Sequence, residues 1–225
     1  TVKDSAGGNG SKELICTNKF GDVIHTSGER KTTGTAGRKI IGGINGLEAP
    51  ELKSFIRQKL AGWNYGTLDY ICSRLVQHAR PVQADRARTS AIEVLTYLND
   101  INIPLGDKKR SRVLNTVRES LTQILDAVPP VTSGGSKSTY CRIDWTQRES
   151  LRAPRDTEKF LVVDAGQFPP EGPDCDARLI VAAYNLGWRQ FIAYGYKGQR
   201  FCGCGLAQNT EGVRIDVYGS SGDYL

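Results

Sequence analysis

Tyr194-Gly195-Tyr196-Lys197-Gly198-Gln199-Arg200-Phe201 is echoed by Tyr218-Gly219-Ser220-Ser221-Gly222-Asp223-Tyr224-Leu225. A short β-type run precedes each copy: Phe191-Ile192-Ala193 before the first, Val213-Arg214-Ile215-Asp216-Val217 before the second. Gly195 to Gly219 and Gly198 to Gly222 are the same distance apart, a spacing in the range that marks stacked repeats. Glycine fits the corners of a parallel coil, where a Cβ would strike the backbone of the adjacent rung. Two glycine turns in an antiparallel sheet would produce similar text. The readings part on one observable: Ile192 and Val217 lie either on parallel neighbours or on the arms of a hairpin.

Working backwards, Phe160-Leu161-Val162-Val163 is a buried-type strand, and Gly166 to Asp174, with three prolines, is a loop. Asp174 is a candidate N-cap for a helix through about Leu186, with Ala177, Ile180, Val181 and Tyr184 inward and Gly187 as its stop. Strands are predicted near Gln190 to Tyr194, Arg200 to Cys204 and Val213 to Tyr218. The strand–helix–strand unit caps the first coil, covering an apolar edge.

From Phe160 to Leu225 the text resembles the opening of the glycine-repeat (GXGXG) domain of the glutamate synthase family. It is also similar to the C subunit of formylmethanofuran dehydrogenase. The matching residues are Phe160 to Ala165, Gly198 to Phe201 and Val213 to Leu225, about the last third of the chain. The resemblance implies a right-handed β-helix that supports catalytic neighbours. It implies glutaminase and flavin domains as partners, which would carry the flavin and the iron–sulfur cluster. It assigns this chain no cofactor and no catalytic residue, and leaves open whether it counts as part of an oxidoreductase in glutamate biosynthesis. The family's coil runs on further, so the expectation is that this chain is a piece of a longer one or that another chain completes the stack. The family's N-terminal cysteine nucleophile has no counterpart, since the chain begins with Thr1.

Upstream, Ala49 to Val128 reads as four amphipathic helices. The first starts at Pro50 and stops at Gly62. The second is capped by Thr67 and ends before Pro81. The third spans about Ala84 to Asn99. The fourth follows Asp107 and ends at Pro129-Pro130. The expected fold class is α+β: an N-terminal helical bundle, a strand–helix cap, and the first coils of a right-handed parallel β-helix. Four regions are expected: a Gly-rich extended segment over 1–46, a four-helix domain over 47–131, a linker or arm over 132–159, and the coil domain over 160–225. Within 1–46, Glu13 to Cys16, Asp22 to His25 and Lys39 to Ile41 are short candidate strands. Its glycines fail the phosphate-loop pattern, because no Gly-Lys-Ser/Thr closes the loop. Cys141 to Trp145 is a strand or an extended arm.

The 225 residues carry a net charge of +6 and no Met, so the numbering is expected to begin downstream of the true start. No apolar run approaches a membrane span. Six dispersed cysteines match neither a zinc framework nor a disulfide scaffold, which suggests free thiols and a cytoplasmic setting. The helices also hold Arg86, Arg88, Lys108, Lys109, Arg110 and Arg112, a basic patch that could face a partner. Nucleic acid is the alternative partner and no membrane is expected, but acidic residues interleave with the bases and no aromatic platforms accompany them.

Candidate chemistry is sparse. Cys202 and Cys204 would face the same side of a strand, as small core residues or as a metal or redox pair. His25 and His78 are the only imidazoles and share no motif with a nucleophile. Asp164, Asp174, Asp176, Asp216 and Asp223 read as loop, cap and corner residues rather than as a catalytic pair. A non-catalytic scaffold is the leading functional expectation, and a basic helical nucleic-acid-binding protein is the second.

Overall fold

The structure is a computed structural model, and it describes residues 16–17, 23–24, 48–82, 84–134, 137–206 and 210–222. The chain divides into two units at Leu52 and Lys53. In the first, strands β1 (Cys16–Thr17) and β2 (Val23–Ile24) pair antiparallel, with Cys16 opposite Ile24. The remaining readings within 1–46, His25 among them, lie outside the described residues.

Helix α1 (Ala49–Lys59) crosses the division and tightens into a 3-10 turn at Leu60–Gly62. In the second unit, α2 (Tyr65–Ala79), α3 (Asp85–Asp100) and α4 (Arg110–Asp126) pack pairwise on one another. The apolar stripes predicted for them are buried, including Leu68, Ile71, Leu95, Val117 and Ile124. Two helix starts differ from expectation. Asn64, not Thr67, caps α2: its extended backbone lets Oδ1 accept from the Thr67 N–H at 2.8 Å. The fourth helix starts after Lys109 rather than Asp107.

Beyond the helices lies a four-stranded sheet in the order β3 (Tyr140–Ile143), β4 (Phe160–Asp164), β5 (Gln190–Lys197), β6 (Arg214–Ser220), parallel throughout. The region 132–159, read as linker or arm, therefore supplies a structural strand. Helix α5 (Asp176–Asn185) connects β4 to β5 and is capped by Cys175, one residue after the expected Asp174. The architecture is α+β, helices followed by a parallel sheet.

Both faces of the sheet are covered, as all-parallel sheets require. One face carries Ile143, Leu161, Val163, Phe191 and Ala193 into a core with Ile180, Ala183 and Trp188. The other carries Val162 and Ile192, also buried, and three tyrosines that reach the helices. Tyr140 pairs its hydroxyl with Thr89 Oγ1 at 2.6 Å, Tyr194 donates to Asp126 Oδ1 at 2.6 Å, and Tyr218 pairs with Thr96 Oγ1 at 2.7 Å. Burial raises the pKa of all three hydroxyls, so they stay neutral bridges.

Arg88 adds a fourth tie. It is fully buried, pairs with Asp85 at 2.6 Å, donates to Pro81 O at 2.9 Å and reaches Ser138 Oγ at 3.3 Å. Asp85 in turn accepts from Ser138 Oγ and the Thr139 N–H beside β3. Replacing Arg88 by Met is expected to cost about 2 kcal/mol, because Asp85 keeps these other partners. Urea unfolding of the variant checks it.

Candidate interaction edge

The register of β5 on β6 follows the sequence repeat. Gln190 lies opposite Arg214 and Ala193 opposite Val217, so the strands bearing Ile192 and Val217 run side by side in one direction. Past Ala193 the register slips, and Tyr196 rather than Gly195 faces Gly219. The repeat glycines therefore do not stack one over one.

Their surroundings differ too. A Cβ on Gly219 would sit 2.7 Å from Tyr196 O and 2.8 Å from Tyr196 N, and φ there is +129°. A Cβ on Gly222 would sit 2.7 Å from Gly198 O, and the corners are joined by Gly222 N–H to Gln199 O at 2.8 Å and Gly198 N–H to Ser220 O at 2.7 Å. Gly195 meets mainly the Asp164 carboxylate, at 2.9 Å. Gly198 has no neighbour within 4 Å of a would-be Cβ. Close backbone approach thus explains Gly219 and Gly222. Gly198 is a turn conformer.

The two edges of the sheet are unequal. Beside β3 runs Pro129–Val131, held by Arg142 N–H to Pro129 O at 2.8 Å and Val131 N–H to Arg142 O at 2.7 Å. Among the described residues, no strand lies beyond β6. Phe191 to Tyr194 on β5 are buried, whereas Ile215 and Val217 on β6 are only half-buried although they pack on the same core. An edge of this kind presents unpaired backbone groups and apolar side chains to a further strand.

The predicted basic patch does not assemble. Arg88 is spent inside the fold. Lys108 is buried, with Nζ donating to Trp63 O at 2.6 Å and to Ala61 O at 3.4 Å. Both are corrections: their charges are consumed by carboxylate and carbonyl partners. Arg86 is exposed near the start of α3, whereas Arg110 reaches Ile101 O beyond its far end, roughly 24 Å away at 1.5 Å per residue. Lys109, Arg110 and Arg112 remain exposed together on the first turn of α4, where Arg112 lies 4.1 Å from the centre of the Tyr65 ring.

Cys202 and Cys204 are not on a strand. They lie in a turn with positive φ at Phe201, Gly203 and Gly205, which puts Cys202 inside and leaves Cys204 exposed. Burial raises the pKa of the Cys202 thiol, which keeps it protonated and makes it a poor metal ligand or nucleophile. Among the described residues no group of His, Cys, Asp and Glu is placed to hold a metal, and no helix is long and apolar enough to cross a membrane. His78 lies on α2 with Nε2 3.4 Å from Arg74. Asp164 accepts from the Gly166 N–H, Asp216 pairs with Arg214, and Asp174 is exposed. Asp223 lies outside the described residues.

Sequence reasoning missed one arrangement: Asp176, completely buried at the start of α5, accepts a hydrogen bond from the Tyr196 hydroxyl. An Asp at a helix start looks like a solvated end residue, and nothing local signals its burial. No family model, curated protein or solved structure matches the chain.

Proposed function

We propose that this chain is a non-catalytic scaffold element of a glutamate synthase-like complex. In this reading β4, β5 and β6 are successive rungs of a right-handed parallel β-helix, and β6 is the rung on which the stack continues. The observation that carries it is the pairing of β5 with β6: parallel, at the spacing of the sequence repeat, with Gly222 against the Gly198 carbonyl. A stack of this kind holds neighbouring domains at fixed separation, because each rung contacts only the next and the array is stiff along its axis. The helices would add a second docking surface. Glutaminase and flavin domains are the partners this reading requires, and flavin and iron–sulfur chemistry would belong to them.

Copurification tests it. The tagged chain, expressed with a candidate amidotransferase and flavoprotein, is expected to retain them, and the retained complex shows flavin absorbance. Val217→Lys, which puts a charge on the open rung, is expected to weaken retention at least tenfold with little change in the far-UV spectrum, since burying an unpaired ammonium is unfavourable. A chain that migrates alone overturns the proposal. So does a steep fall of nucleic-acid affinity with salt, the signature of phosphate contacts by the α4 basic turn.

A further inference from the structure

We propose that Asp176, Tyr196 and Cys202 form a proton-operated latch, holding the turn Phe201–Leu206 against α5 while Asp176 is neutral and loosening it when the carboxyl ionises. Three side chains from three elements meet out of solvent. Asp176 opens α5, Tyr196 is on β5 beyond the register slip, and Cys202 is in the turn; all three are buried. The Tyr196 hydroxyl donates to Asp176 Oδ2, and the Cys202 thiol lies beside that hydroxyl. Asp176 Oδ1 is buried without a hydrogen-bond partner.

Among the described residues, no cation faces this carboxyl. The titratable groups turned toward it are Tyr196 and Cys202, with Cys204 next along the turn. On α5 Arg178 is exposed, as is Asp174 just before it, and on the neighbouring loops Glu171 and Arg200 pair with each other at 3.5 Å. The donors to the Asp176 carboxyl are the Tyr196 hydroxyl and the backbone N–H groups of Asp176 and Ala177 at the start of α5; with no counter-charge among the described residues, burial outweighs them and shifts the group toward the protonated acid. Burial accordingly raises its pKa above the ordinary aspartate value, against the hydrogen bonds that lower it. The sign follows. Between the ordinary aspartate value and the raised folded value, the folded protein binds more protons than the unfolded chain, so stability falls as pH rises through that window.

The turn is the part that can yield. Two of its backbone bonds, Cys204 N–H to Phe201 O at 2.8 Å and Leu206 N–H to Gly203 O at 3.4 Å, close the turn on itself and not on α5. Gly205 lies against Val181 of α5, and Gly203 against Ile215 of β6. Opening it would uncover Cys202 and loosen the support under the β6 edge.

Thiol alkylation of the full chain, resolved by peptide mass spectrometry, tests the latch. The ratio of Cys202 to Cys204 labelling is expected to rise several-fold from pH 5 to pH 8 in the wild type and to stay nearly level in Asp176→Asn. Ratios that move together in both proteins, or a level wild-type ratio, overturn the proposal. Should the variant fail to fold, infrared titration of the wild type decides: one carboxyl must keep its proton above the ordinary aspartate range, and a spectrum in which none does refutes the latch.

Discussion

Gly219→Val is expected to detach β6 from β5. The added Cβ would meet the backbone N and O of Tyr196 at 2.8 and 2.7 Å, atoms that cannot move without breaking the ladder, and φ of +129° is itself poorly suited to valine. A cost of about 4 kcal/mol or more is expected, in the range reserved for severe backbone and packing conflicts. Gly198→Ala is the control. Its φ of +104° strains alanine, but no atom lies within 4 Å, so about 1–2 kcal/mol is expected. Urea unfolding gives both numbers, and amide exchange shows whether loss is confined to β5 and β6 while α2–α4 stay protected. Equal costs at the two glycines would mean that the repeat encodes turns, not close-stacked rungs.

The second large effect is expected at Arg152. Its guanidinium grips Glu158 with two bonds of 2.7 Å, and the Glu158 side chain is only 3% exposed. The Arg155 N–H adds a third bond to that carboxylate, at 2.9 Å. Burial alone would push the Glu158 carboxyl up, yet the bonds from Arg152 and from the Arg155 backbone outweigh it and hold the group below the ordinary glutamate range. Stability from this pair is therefore present above the unfolded value and lost as pH falls through the folded one. Arg152→Met removes both short bonds and leaves the buried carboxylate only the Arg155 N–H and a guanidinium 4.0 Å away, at an expected cost of about 3 kcal/mol near neutral pH. The cost should shrink on acidification, because Glu158 in the variant takes up a proton. Unfolding measured at pH 7.5 and pH 4.5 checks this. A pH-independent loss would place the effect in packing, and Glu158→Gln in the variant background should then restore nothing.

Helix positions were legible because burial on one face imposes a period that survives in the text, as Val113, Val117, Leu121 and Ile124 illustrate. Helix starts were less so. Asn64 and Thr67 are both competent caps, and the choice rests on which one has extended backbone, a property set by the incoming chain. Strand β3, read as a strand or an extended arm, stayed open for a different reason: four residues beside a Gly- and Ser-rich stretch acquire strand identity only by pairing with β4 and with Pro129–Val131. The turn at Cys202 read as a strand because alternation was scored without the positive φ at Phe201, Gly203 and Gly205.

By itself the amino-acid sequence determined the order of the helices, their buried faces and the repeat spacing that became the β5–β6 register, since each is written in local periodicity and chain distance. Tertiary structure alone decided the fate of the charges. Arg88 and Lys108 look like surface cations, and Asp176 like a solvated helix end, until elements distant in the chain close over them. Desolvation depends on what lies across the gap, and no window of sequence contains that.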